Sequence, residues 1–482
     1  MPSAGAHAPI FNPATGNVVG SAPIALEQEV DAAVAAAKVA LPSWSGLGLQ
    51  QRVNLLFDLR QSVQDARDEL VRTIITETGK TLSDATAEVT RAVEAIGQAV
   101  TTTSLYAAPF TRGVSSGVNT YEVRYPVGVV AAISPFNFPL LIPLVQSAMA
   151  IACGNTIVAK PSDRNPTTLL RVAELFSRAG LPDGVFNVIL GDRSAVERLL
   201  AHPDVAAVTF VGSTAVARQI RVQGVLNNKR VQAFGGGKNH MVVMPDADID
   251  FAADAAVSAA YGAAGQRCMA VSVVVAVGSI ADPLVEAIRI RAAALRMGNV
   301  NELSAQLGPV ITEQSMRRII GYVDNAAAEG ARVLLDGRMH AAGEGGWYLG
   351  PTLIDHVKPG MALHRDEIFG PVLSIVRVAT YEEAVAVISA HELGNGAAIF
   401  TRDGSVANRF TDDASAGQIG INVPIPAPVY FHGFAGWKDS AFTESKLHGR
   451  GTIDFLTQTK TVSARWLEPA DSSVELHFPT NR

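Results

Sequence analysis

Cysteine is nearly absent: Cys153 and Cys268 are the only two among 482 residues. Two thiols cannot build a disulfide framework, and such a chain suits a reducing compartment. Charge is sparse, at 17% of residues against 48% apolar ones, a balance that excludes a disordered chain. Neither sign dominates. With 39 basic and 45 acidic residues the net charge is −6, and without a Lys/Arg run no nucleic-acid partner is expected. The start, Met1-Pro-Ser-Ala-Gly-Ala-His7, lacks the basic and apolar regions of a signal peptide. No charge occurs between Arg124 and Lys160, yet Pro135, Asn137, Pro139, Pro143, Gln146 and Asn155 break that stretch. It therefore reads as buried strands and a core helix, not as a membrane span. A soluble cytoplasmic protein with no membrane partner is expected. Histidines such as His391 and His448 are scattered without metal-ligand spacing, so no metal site is expected.

The length allows roughly two to four domains. Residues 27–107 read as helical, with apolar residues at i, i+3, i+4 spacing in Val30–Ala40 and in the longer Arg52–Glu77. From Pro126 an alternation begins. Apolar runs at Val129–Ile133, Thr156–Ala159, Val185–Ile189, Ala206–Phe210 and Val231–Phe234 read as strands, with helices near 140–152, 166–179, 193–201 and 214–225 between them. Such β-then-α runs predict an α/β fold with a parallel sheet whose strand ends bind ligands. After Gly235 the spacing predicts helices at Asp250–Ala264, Pro283–Arg296 and Met316–Glu329, and strands at Val271–Val277, Val372–Val378 and Ala397–Phe400. Gly343–Gly346 and Pro424–Pro428 read as loops. Thr452–Arg465 is β-prone and could pair with 116–124; a polar tail follows from Glu468.

Cys268 sits in Ala263-Ala-Gly-Gln-Arg-Cys-Met269. Small neighbours leave room for a substrate carbon, and the charge of Arg267 is expected to favour the reactive thiolate. The competing reading is a buried structural cysteine, and that reading suits Cys153, at the end of an apolar helix. Four further motifs accompany it: Pro135-Phe-Asn-Phe-Pro139, Lys160-Pro-Ser-Asp163, Phe210-Val-Gly-Ser-Thr214 and Glu367-Ile-Phe-Gly-Pro371. In this order the chain resembles the NAD(P)-dependent aldehyde dehydrogenase superfamily over nearly its whole length.

The resemblance implies a Rossmann-type NAD-binding domain (1–110 and 127–234), an α/β catalytic domain (235–435) and a β-ribbon (111–126 and 452–466) that builds homodimers or homotetramers, with 467–482 as a tail. Gly212 and Ser213 would meet the pyrophosphate at a helix N-terminus. Lys160 and Asp163 match ribose contacts, and the Asp163 carboxylate favours NAD over NADP. Phe136 belongs to the same cofactor wall. Glu367 and Phe369 match the residues that hold the nicotinamide ribose and ring. Asn137 and the backbone N–H of Cys268 match an oxyanion hole.

Most relatives activate water with a glutamate in Glu-Leu-Gly-Gly-Lys; here the run is Phe234-Gly-Gly-Gly-Lys238. A thioester facing that ring is expected to resist water and to pass to a thiol such as coenzyme A. The methylmalonate-semialdehyde dehydrogenases share this loss, and Lys238-Asn-His240, Met244-Pro-Asp-Ala-Asp248 and Gly436-Trp-Lys438 also resemble them. Arg91 and Arg267 match the two arginines that grip the substrate carboxylate in that subgroup. A solvated helix-face charge (Arg91) and a loop-ordering salt bridge (Arg267) are the alternatives. The resemblance implies oxidation of malonate or methylmalonate semialdehyde to an acyl-coenzyme A with loss of CO₂. A hydrolytic aldehyde dehydrogenase and a catalytically silent binding protein are the rivals.

Overall fold

The structure is a computed structural model that describes residues 6–101, 104, 106–115, 117–339 and 345–466. Residues 343 and 344 of the expected glycine-rich loop, and the tail from 467, lie outside the described residues.

The first sheet has the order Ala441–Phe442, Arg230–Phe234, Val205–Val211, Val129–Ile133, Thr156–Lys160, Phe186–Val188. The last five strands run parallel; the short edge strand is antiparallel. Val129–Ile133 and Thr156–Lys160 are buried at every position, as strands covered on both faces must be. Helices Leu141–Ala152, Thr167–Arg178, Arg193–Ala201 and Thr214–Leu226 form the crossovers, each within a few residues of its expected span.

The second sheet runs Arg332–Leu335, Thr352–Asp355, Val372–Val378, Val271–Val277, Asn239–Val243, Gly396–Phe400, Gln418–Ile421, parallel except at its first pair. Two two-stranded sheets (His7–Phe11 with Val18–Pro23, Leu393–Gly394 with Trp437–Lys438) and a three-stranded ribbon complete the sheets among the described residues. Thr457–Arg465 pairs antiparallel with Val118–Pro126, from Thr457 opposite Pro126 to Arg465 opposite Val118. Residues 452–456 are not part of that strand. They belong to the helix Arg450–Leu456, whose end is fixed by the Arg230 guanidinium donating to the carbonyls of Asp454, Phe455 and Thr457.

The N-terminal helices differ from expectation in two respects, the first being that residues 106 and 107 are not helical. Arg52–Glu77 is two helices, Leu49–Asp65 and Arg67–Thr78, broken at Ala66. Among the described residues no single helix is long and apolar enough to cross a membrane.

Candidate active site

In the first sheet the chain adds strands on one side of Val129–Ile133 and later on the other, with Val205–Val211 beside it. The carboxyl ends of these two neighbours open a crevice, the usual ligand position in such sheets. Pro135, Phe136 and Asn137 leave the first strand there; Gly212 and Ser213 leave the second. With Gly235, Gly236, Arg318, Glu367, Phe369 and Cys268 among its other walls, they bound a chamber of about 320 Å³. Ser213 caps the helix Thr214–Leu226 without spending its hydroxyl on the cap, so hydroxyl and helix N-terminus both remain for an anion. The Phe136 ring meets Phe369 edge-on at 5.8 Å, and the Phe136 carbonyl accepts from Asn165 Nδ2 at 2.6 Å.

Lys160 ends the next strand, buried but outside this chamber. Burial lowers its pKa, and the charges of Asp163 and Asp192 oppose that shift. Asp192 gave no signal in the sequence. It is also the cap of helix Arg193–Ala201, accepting from the Ser194 N–H at 2.8 Å.

The nucleophile loop departs from the expected helix. Helix Ile249–Tyr261 ends early, and Ala263, Ala264 and Gly265 take left-handed φ values of 53°, 54° and 69°. Two alanines in that conformation are strained, each by about 1–2 kcal/mol. Gly265 has no alternative: a Cβ there would lie 2.1 Å from the Gly370 carbonyl oxygen. Asp84 holds the turn, accepting from the Ala263 N–H at 3.1 Å with one oxygen and pairing with Arg267 through the other. The Cys268 carbonyl is held twice, by Asn239 Nδ2 at 2.9 Å and Asn395 Nδ2 at 3.0 Å. Asn137, 5% exposed, donates from Nδ2 to the Gln266 carbonyl at 3.0 Å and so ties the first sheet to this loop.

Beyond Cys268 lies a second chamber of about 280 Å³. Apolar side chains dominate its wall: Phe138, Ile142, Val145, Val211, Phe434 and Leu447. Its polar groups include Lys80, Asp84, Glu88, Arg91, Arg267, Tyr430 and His448. Lys80 is paired with Glu88, both buried, and Glu88 also accepts from the Leu140 N–H at 2.9 Å. Arg91 is part-exposed, stacks on Tyr430 at 5.1 Å and lies 3.4 Å from Glu94. Ile142, Val211 and Cys268 line both chambers, and of these only Cys268 carries a polar or ionisable side chain.

Residues 1–462 match the aldehyde dehydrogenase family. The chain belongs to that family. It is 42% identical to the malonate-semialdehyde dehydrogenase of Pseudomonas aeruginosa, over 99% of this chain and 97% of that one. It is 44% identical to malonate-semialdehyde dehydrogenase 1 of Geobacillus thermodenitrificans, over 94% of each. Among solved structures it is similar to the methylmalonate-semialdehyde dehydrogenase of Oceanimonas doudoroffii, with TM-score 0.96, 42% identity and coverage of 98% and 97%. A proposed methylmalonate-semialdehyde dehydrogenase from Sinorhizobium meliloti 1021, complexed with NAD, gives TM-score 0.96 at 43% identity, covering 98% and 96%.

Three expectations need correction in this aldehyde dehydrogenase. Arg267 does not make Cys268 a ready thiolate. Burial pushes the thiol up to about 12 and the Glu367 charge adds to it; the N–H groups of Cys268 and Met269 and, least, Arg267 act the other way. Arg267 is weak here because Asp84 already neutralises it. Phe234 does not face the sulfur either. It is 2% exposed, packs edge-on against Phe434 at 6.1 Å, and lines neither chamber. The glutamate position is thus absorbed into the core. Third, the histidines are not all scattered. His240, His364 and His391 form a buried cluster with ring centroids 5.2–5.5 Å apart, behind the Lys238 and Glu367 segments. The sequence also missed Asn239, Asn395 and Asp84, whose roles depend on contacts between distant segments. Cys153 is wholly buried, and burial pushes it up to about 12, as the structural reading requires.

Proposed function

We propose that this aldehyde dehydrogenase oxidises a carboxylated semialdehyde, malonate or methylmalonate semialdehyde, and transfers the acyl group from Cys268 to coenzyme A. The observation that carries this reading is the position of Cys268 in the wall between the two chambers. The crevice side fits NAD: the unspent Ser213 hydroxyl and the helix N-terminus behind it, beside a Gly212 with no side chain, suit a pyrophosphate, and Glu367 with Phe369 suits the ribose and ring. Asp163 favours NAD over NADP through its charge near Lys160. When bound, NAD accepts the hydride.

The residues do the rest. Cys268 loses its proton and attacks the aldehyde carbon, forming a C–S bond and an oxyanion that Asn137 and the Cys268 N–H stabilise. Loss of hydride leaves a thioester on Cys268. Arg91 takes the charge of the substrate carboxylate at the other end, and Arg267, held by Asp84, borders the same chamber. Neither carboxylate of the substrate chamber is free to activate water for deacylation, because Asp84 is tied to Arg267 and Glu88 to Lys80. The thiol of coenzyme A then takes the acyl carbon and returns Cys268 as a thiol. The substrate carboxylate leaves as CO₂, the electron pair of the broken C–C bond stays on the carbon that carried it, and that carbon gains a proton from water, giving acetyl- or propionyl-coenzyme A. The names of the relatives, and the NAD complex of the Sinorhizobium protein, support the same substrate class and cofactor. The NAD-binding, catalytic and ribbon divisions set out above, and assembly as a homodimer or homotetramer in the cytoplasm, belong to this reading.

NADH formation measured with and without coenzyme A, with the product identified, tests it. An acyl-coenzyme A is expected. A free acid released at full rate without coenzyme A would sink the acyl-transfer step.

A further inference from the structure

The geometry points to a preferred substrate that is a semialdehyde acid with a longer alkyl branch, ethyl or propyl, on the carbon between its two carbonyl groups. This rests on the semialdehyde reading above and narrows it. Size is the first argument. The substrate chamber holds about 280 Å³ with the Cys268 sulfur in its wall, whereas an apolar cavity of roughly 150 Å³ takes benzene. Malonate semialdehyde has as many non-hydrogen atoms as benzene. It would leave nearly half of this chamber unfilled.

Lining is the second argument. The spare room faces Phe138, Ile142, Val145, Val211, Phe434 and Leu447, none of which offers a side-chain hydrogen bond. Tyr430 already donates its hydroxyl to the Arg91 carbonyl at 2.9 Å, and His448 Nδ1 is turned to the His432 carbonyl at 2.7 Å. A longer polar chain would therefore bury unpaired groups, while an alkyl branch would not. The amides of a pantetheine arm meet the same difficulty, so coenzyme A is not what fills the space.

Charge is the third argument. Of the three cations in the wall, Lys80 is cancelled by Glu88 and Arg267 by Asp84. Arg91, with only a long contact to Glu94, remains for one carboxylate. One anion, one aldehyde and an apolar remainder describe a 2-alkyl-3-oxopropanoate.

The test is kcat/KM with NAD and coenzyme A for freshly generated 3-oxopropanoate and its 2-methyl, 2-ethyl and 2-propyl derivatives. The expected result is a rise of roughly fourfold per added methylene through the ethyl compound. Val145→Phe, which fills the chamber, should move the optimum to a shorter branch. A maximum at the unbranched or methyl compound, with loss at ethyl, would overturn the inference and leave the semialdehyde reading intact. No turnover of any member of the series would overturn that reading too.

Discussion

Asn137 spends one amide hydrogen on the Gln266 carbonyl, and that bond fixes the direction of the other. The side chain is then a donor aimed by the loop that carries the nucleophile, which is what stabilising a developing oxyanion requires. Asn137→Ala should lower kcat by about 10²–10³ with a smaller change in KM, read in steady-state NADH formation. Cys268→Ala should abolish turnover while NAD still binds, measured by fluorescence titration. For Arg91 the expectation is different in kind. Arg91→Ala should raise KM for a carboxylated semialdehyde roughly 10–100-fold and leave a neutral aldehyde of similar size nearly unaffected, since only the former loses a charge-assisted bond. Equal losses on both substrates would return Arg91 to a packing role on Tyr430.

Among the elements, the buried histidine cluster joins the strand Asn239–Val243, the short helix Ala362–Arg365 and the turn at His391. His240 and His364 meet Nε2 to Nε2 at 3.1 Å, and His391 Nε2 donates to the His364 carbonyl. Burial lowers all three, His364 to about 4. The folded protein therefore holds them neutral, while an unfolded chain takes up protons once the pH falls below the ordinary histidine value near 6.5. Their contribution to stability is complete above that value and is lost as the pH falls toward about 4. Tm should drop steeply between pH 6.5 and 4.5, and His364→Gln should flatten the slope. Lys238, donating to the Leu363 and Asp366 carbonyls beside the cluster, connects this titration to the Glu367 segment.

How much of this was legible depends on contact range. Val129–Ile133 could be read to the residue because it is an unbroken apolar run between turn residues, and Val372–Val378 because four of its seven residues are Val or Ile despite Ser374 and Arg377. Asn239–Val243 was missed because Lys238-Asn-His hides a fully buried strand behind polar letters. Those side chains are satisfied by partners more than twenty residues away, Cys268 and His364 among them. Likewise the break at Ala66 carries neither Gly nor Pro, so no local signal marks it. Cys268, Asn137, Gly212 and Ser213 stood out in the sequence because motifs encode local turns, and the fold brings all four to one chamber. It misjudged the electrostatics of Cys268, because Asp84 and Glu367 reach it only through the fold.

For the whole molecule, the two sheets supply opposite walls of one site, and the ribbon is a separate sheet tied to the first through Arg230 and Thr457. Phe110 and Tyr125 are exposed on its strands, and Phe110 stacks on Tyr121 at 6.0 Å. In the assembly proposed above this ribbon would be half of an interface. Light scattering should give a multiple of 50.6 kDa for the full chain and a smaller multiple once the chain stops at Leu456. An unchanged mass would assign assembly to another face. The sulfur in the partition has a different consequence. An electrophile arriving beside Gly212 is shielded by dinucleotide, and one arriving beside Arg91 by a small carboxylate such as malonate. Which shield slows a given reagent reveals its direction of approach, so a pair of protection assays surveys both corridors.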